Sequence, residues 1–219
     1  MNSSSTELFL SRLHWPVTTL GYGRRIGIWF QGCSIRCKGC CSLDTWDAEP
    51  THATTVENVL AWIGTQPLEQ VDGFTISGGE PFDQPIALLK LLHALKALRT
   101  AAPRSLDILV YSGFPWRVQS QRYASVIGLV DTVVSEPFVR SKPGDGLAGS
   151  GNQVVRCLTN TGRERHGPEA ASRRAGRLQL DFDGERVWLV GIPQRGALDL
   201  LRQDLAAKGI GLSDCSWRS

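Results

Sequence analysis

The chain is predicted to adopt an α/β fold, with mostly parallel strands covered by helices and a small C-terminal extension. Three observations carry this expectation. Short runs rich in β-branched and aromatic residues recur at 26–30, 71–77, 106–112 and 129–135, as buried strands do. Stretches of helical periodicity separate them, and strands alternating with helices favour a parallel sheet. At 219 residues, with 42% hydrophobic and 21% charged residues, the chain is long enough to bury one sizeable core as an ordinary globular domain.

Each element has its own signal. The run 26–30 is apolar throughout, as a strand covered on both faces must be. Residues 55–64 read as a crossover helix leading to the second strand, 71–77. The clearest helix is 84–102, where Ile86, Leu89, Leu92, Leu95 and Leu98 recur at each turn and Pro103 stops the periodicity. The strand 106–112, the helix 116–127 and the strand 129–135 continue the alternation. Gly, Ser and Pro crowd 141–151, which predicts a linker or a lid. The dense Arg, Glu, Gly and Ala content of 163–177 predicts a mobile surface insertion. Beyond it, 178–182 and 186–190 flank Asp183-Gly184, a hairpin signal, and 197–208 fits a last amphipathic helix. The chain therefore divides into a core, 1–156, and an extension, 157–219.

Composition excludes some functions. A net charge of +3 is too small to argue for nucleic acid. The longest apolar runs fall far short of a membrane span, and the Ser-rich start lacks a basic-then-apolar signal layout, so a cytoplasmic protein is expected. Four of the six cysteines lie within 33–41. A disulfide framework would spread them; clustering of this kind points to metal or redox chemistry.

The central motif is Cys33-Ser-Ile-Arg-Cys37-Lys-Gly-Cys40, directly after the first strand. Thiolates are the usual ligands of iron–sulfur clusters, and a cubane held by three of them keeps one iron open for a further ligand. Structural zinc normally takes four ligands in two separated pairs. No second pair exists here, because Cys157 and Cys215 are isolated and His14, His52, His93 and His166 are scattered. Cys41 is expected to pack beside the site, since neighbouring side chains diverge. At the end of the second strand, Ser77-Gly78-Gly79-Glu80 offers glycines that let backbone approach a ligand closely. Ser112 and Glu136 end the third and fourth strands, where ligands collect in such sheets. Trp46, six residues past Cys40, is placed to shield the site.

Several stretches together resemble the radical S-adenosylmethionine enzymes, and among them the activating proteins of anaerobic ribonucleotide reductase and related glycyl-radical enzyme activases. They are Trp29-Phe-Gln-Gly-Cys-Ser-Ile-Arg-Cys-Lys-Gly-Cys40, Asp44-Thr-Trp46, Thr75-Ile-Ser-Gly-Gly-Glu-Pro-Phe82, Tyr111-Ser-Gly113 and Gly149-Ser-Gly-Asn-Gln153. The resemblance implies a partial (βα)6-type barrel and a [4Fe–4S] cluster on Cys33, Cys37 and Cys40. It also implies that S-adenosylmethionine is chelated at the open iron and split reductively, giving a 5′-deoxyadenosyl radical that abstracts hydrogen. Ser77, Gly78, Gly79 and Glu80 would hold the cofactor's amino group, Ser112 and Glu136 its ribose or carboxylate, and no side chain acts as acid or base. The implied partners are an electron donor such as a flavodoxin or ferredoxin and a glycyl-radical enzyme. The sequence departs from the family in having Cys41 where an aromatic residue is common, and in continuing past the family's usual end.

Three readings follow: an activase of a glycyl-radical partner; an enzyme that modifies a small metabolite, peptide or nucleotide directly, the extension helping to form its pocket; and a non-catalytic iron–sulfur sensor.

Overall fold

A computed structural model describes residues 5–171, 178–182, 186–212 and 215. Strands β1 (Glu7–Val17), β2 (Arg25–Phe30), β3 (Ala53–Thr55), β4 (Gly73–Gly78), β5 (Asp107–Tyr111), β6 (Thr132–Ser135) and β7 (Val154–Cys157) form one sheet in the order β3-β1-β2-β4-β5-β6-β7. Its centre, β2-β4-β5-β6, is parallel, while β3, β1 and β7 add to the edges antiparallel. The fold is thus mixed α/β around a sheet with a parallel centre. The flanking strands β1, β3 and β7 carry no clean apolar run, which is why sequence patterning passes over them.

Helices α1 (Val56–Gly64) and α2 (Pro85–Ala101) cover one face of the sheet. Thr55 caps α1 by accepting a hydrogen bond from the Asn58 N–H, and Pro85 opens α2 at the position where proline has no N–H to waste. On that face Ile26, Ile28, Phe30, Phe74, Ile76, Ile108, Val110 and Val133 meet Val59, Ile63, Leu88, Leu91, Leu92 and Leu95 in one buried cluster. The predicted helix 116–127 is two pieces, α3 (Trp116–Arg122) and α4 (Ala124–Ile127), broken at Tyr123, whose φ of −122° is non-helical and whose ring packs on Phe82.

The alternate residues of the same strands build the second face. At its lower end Arg25 is fully buried and spends all five N–H donors: on both Asp107 carboxylate oxygens at 2.9 Å, on Thr75 Oγ1 at 2.6 Å, and on the Phe74 and Tyr22 carbonyls. The expectation of a mobile insertion at 163–177 fails over its first part. Residues Asn160–His166 are a helix, α5, followed by α6 (Pro168–Ala171). Arg165 donates to Asp107 Oδ1 at 2.7 Å, and buried His166 bonds Thr132 and the Tyr22 N–H. A charge-dense segment is held because a buried carboxylate at the foot of β5 attracts it. Residues 172–177 lie outside the described set.

The extension folds back over this second face. Strands β8 (Leu178–Phe182) and β9 (Val187–Gly191) pair antiparallel as expected, with Asp183-Gly184 outside the described residues. Gln179 bonds Thr18 and the Pro16 carbonyl, and Val190 is buried with Val17, Leu20 and Trp29. Helix α7 (Ala197–Ala207) follows. Among the described residues no helix is long and apolar enough to cross a membrane.

Candidate metal centre

Chain leaving β2 enters the cysteine loop, and a set of polar residues fixes both ends of that loop. Buried Gln31 donates from Nε2 to the Asp44 and Asp47 carbonyls at 2.8 and 2.7 Å. Gly32 and Cys33 donate their backbone N–H groups to the Thr45 and Trp46 carbonyls at 2.8 and 2.9 Å. Inside the loop Arg36 has a φ of 47°, an uncommon left-handed conformation for a side-chain-bearing residue, and bonds Asp47. Strain of this kind persists only where the surroundings over-determine the backbone, as they do here.

Residues 78–84 form the loop's back wall. Gly79 and Glu80 donate their N–H groups to the Phe30 and Gly32 carbonyls, each at 2.8 Å. Asp83 accepts from Ser34 N at 2.7 Å and Ser34 Oγ at 2.8 Å, and Gln84 joins the Gln31 carbonyl to the Phe9 backbone. A Cβ on Gly79 would stand 2.1 Å from the Gly32 carbonyl oxygen, and one on Gly78, at φ 104°, would stand 2.3 Å from the Phe30 carbonyl oxygen. The close approach that the two glycines permit is therefore made to the end of β2 and to Gly32, where the cysteine loop begins. The N–H groups of Gly79 and Glu80 are consumed there.

Glu80 is buried and its carboxylate accepts from Phe82 N, Gly113 N and Ser112 Oγ at 3.0, 2.8 and 2.9 Å. Burial pushes its pKa up to about 7 despite these donors. Ser112 in turn accepts from Phe114 N. Glu136 sits at φ 82° after β6, with Oε1 accepting from Trp116 N at 2.9 Å as a cap for α3. Thus Glu80 and Ser112 meet beside the cysteine loop, whereas Glu136 reaches toward α3. Ser77 lies on the second face, paired across to Trp29. Asn152 donates to the Pro137 carbonyl, and Gln153 braces 149–150 and the Glu136 carbonyl, giving that pair a scaffolding part.

Cys33, Cys37 and Cys40 are half-buried and free. Burial raises all three thiols, Cys40 to about 11, with the Trp46 indole favouring its thiolate. Cys37 raises both Cys33 and Cys40 through space, so the three share one surrounding, and Glu80 acts on Cys33 and Cys37 in the same sense. No group of three His, Cys, Asp or Glu among the described residues converges tightly enough for a single metal ion. Three thiols on one loop match the donor set of a cubane that keeps one iron open, whereas structural zinc takes four ligands. Cys41 is an exposed residue with Sγ 3.9 Å from the Ser42 hydroxyl.

A family described as the 4Fe-4S single cluster domain matches residues 19–156, more than half of the chain. The chain belongs to this family. An anaerobic ribonucleoside-triphosphate reductase-activating protein of Haemophilus influenzae is 23% identical over 65% of this chain and 94% of its own length. One of the same description from Enterobacteria phage T4 is 24% identical over 64% of this chain and 87% of its own length. A pyruvate formate-lyase-activating enzyme of Staphylococcus epidermidis is 38% identical, over 36% of this chain and 34% of its own length. The solved structure of QueE from Escherichia coli gives a TM-score of 0.40 at 21% identity, covering 49% of this chain and 53% of that one. The resemblance read from the motifs holds: the family and the activating-protein relatives imply a radical S-adenosylmethionine enzyme, with a [4Fe–4S] cluster and S-adenosylmethionine as cofactors.

Gln31, Asp83 and Gln84 are site-building residues that sequence reasoning missed. Their signal was adjacency, since Gln31 precedes the cysteine loop and Asp83-Gln84 follow the Gly-Gly-Glu segment.

Proposed function

We propose that Cys33, Cys37 and Cys40 ligate the cluster and that the enzyme activates a glycyl-radical partner protein. The observation that carries the reading is the three-thiol loop pinned from behind by residues 78–84. Held by Cys33, Cys37 and Cys40, the cluster would supply the electron for reductive cleavage of S-adenosylmethionine, and the cleaved cofactor would supply the 5′-deoxyadenosyl radical for hydrogen abstraction. The protein's part is to place and exclude. Gly78 and Gly79 hold the loop in position; Ser77, with Glu80, Ser112 and Glu136 behind it, borders the cofactor at the carboxyl ends of the parallel strands. The thiols must lose their protons on cluster assembly, which raised pKa values make harder, so assembly releases protons and weakens in acid. The open sheet then corresponds to a partial barrel, residues 1–156 carry the chemistry, and 157–219 shape access to it. A flavodoxin or ferredoxin supplies the electron in this reading. Support for a protein partner comes from the two reductase-activating proteins, whose lengths this chain nearly spans.

The test is anaerobic reconstitution, reduction and chromatographic assay of 5′-deoxyadenosine, beside Cys37→Ala. Product from wild type only, with a glycyl radical in an added partner, is expected; an intact cluster without product would sink the reading.

One observation favours direct action on a small molecule as a second reading. The hairpin closes over the face that holds Ser77, with the Arg12 guanidinium 4.0 Å from the Trp188 ring and 5.6 Å from that of Trp29. A substrate walled in this way needs no protein partner.

A further inference from the structure

A cleft of about 520 Å³ opens beside the cysteine loop, lined by Lys38, Phe138, Val139, Arg140, Ser141 and Arg195. Three separate parts of the chain build it. Lys38 stands between Cys37 and Cys40; Phe138 to Ser141 follow β6; Arg195 lies between β9 and α7. The wall is shared with the cluster site, because a Cβ on Gly39 would lie 2.6 Å from Arg140 Cδ and the Phe138 N–H favours the Cys37 thiolate.

Its charge is one-sided. Among the described residues that line the cleft, every charged one is a cation and none is a carboxylate. Among the described residues none of Lys38, Arg140 and Arg195 has an ion pair, whereas neighbouring Arg36 is bound to Asp47. Three unpaired cations around a concavity repel one another and focus a positive potential into it, so they stabilise an anion held there. S-adenosylmethionine is disfavoured, because its sulfonium and ammonium outweigh its one carboxylate. Phe138 and Val139 add an apolar wall, and the volume falls in the range of small-ligand sites, about 300–1,000 Å³. Guanidinium forks match phosphate oxygens in pairs, and an ammonium between them adds a point charge.

We propose that this cleft binds a phosphate-bearing small molecule, its phosphates held by Lys38, Arg140 and Arg195 and its apolar part against Phe138. The proposal deepens the cluster reading by giving the space beside the cysteine loop a ligand class, and rests on that reading for the ligand's nearness to the cluster.

The test is calorimetric titration of the full-length reconstituted protein with ATP, inorganic triphosphate and citrate, for wild type and the double variant Arg140→Gln/Arg195→Gln. Both arginines are exposed, so folding should survive. Iron content and 5′-deoxyadenosine formation are measured on the same preparations. Expected are binding of ATP and triphosphate in wild type, weaker citrate binding, and a loss of about tenfold or more in the variant, as removal of charge-assisted hydrogen bonds gives. Absence of binding by both phosphate probes, equal affinity in the variant, or citrate binding as tightly as triphosphate would overturn the proposal, as would charge-dependent binding of only an acidic protein such as flavodoxin. Arginine-dependent triphosphate binding by a preparation that holds no cluster, or cleaves no cofactor, would leave this proposal standing and remove the cluster reading.

Discussion

Glu80, at the end of β4, accepts a hydrogen bond from the Ser112 hydroxyl at 2.9 Å and from the Gly113 N–H at 2.8 Å, clasping the ends of two parallel strands beside the cysteine loop. A buried carboxyl that loses one donor cannot turn to water for another. Ser112→Ala should destabilise the protein by about 1–2 kcal/mol and raise the Glu80 pKa further, since the hydroxyl favours the ionised form. Thermal unfolding and infrared titration of the carboxyl check this; an unshifted Glu80 would mean that the bond contributes nothing to its charge state.

Gly79 allows no side chain. With the Gly32 carbonyl oxygen 2.1 Å from an added Cβ, Gly79→Ala must push the cysteine loop away from β4. A cost of about 3 kcal/mol is expected, together with loss of iron from the purified protein. Gly64→Ala is the control, as nothing lies within 4 Å of its Cβ position. Retention of full iron by Gly79→Ala would show that the loop is not held where the structure places it.

The Asp107 carboxylate gives the fold a pH dependence far from the cysteines. Burial alone would push its pKa up, but Arg25, then His166 and Arg165, hold it down at about 2. Because the folded value is depressed below 3.8, the ionised group stabilises the native state above that pH, and this contribution is lost as pH falls toward about 2. Asp107→Asn should cost about 3–5 kcal/mol at neutral pH, because Arg25 is left buried and unpaired. The gap in melting temperature between wild type and Asp107→Asn should narrow as pH is lowered through that window; a gap independent of pH would contradict the ion pair.

Glu136 caps α3 from outside the helix. Glu136→Ala should cost about 1 kcal/mol, while Glu136→Gln, which keeps an acceptor for the Trp116 N–H, should melt close to wild type. Equal losses in both variants would mean that the negative charge matters and the cap does not.

The sequence by itself determined the cysteine loop, the central strands and helix α2, because their signals are local. Thiol spacing constrains what one short loop can wrap, and a run such as Ile26 to Phe30 can only be buried on both faces. The Gly78-Gly79 pair was legible as a place of close approach, but its neighbour was not: the two N–H groups of Gly79 and Glu80 go to Phe30 and Gly32, a contact between segments far apart in the chain. The antiparallel strands β1, β3 and β7 and the docking of α5 were also beyond local reading. Arg165 looks like one solvated arginine among many until β5 places Asp107 within 2.7 Å of it. Only the tertiary structure decided such pairings, since a buried charge or a carbonyl without a partner selects whichever complementary group the topology brings near, at any separation in sequence.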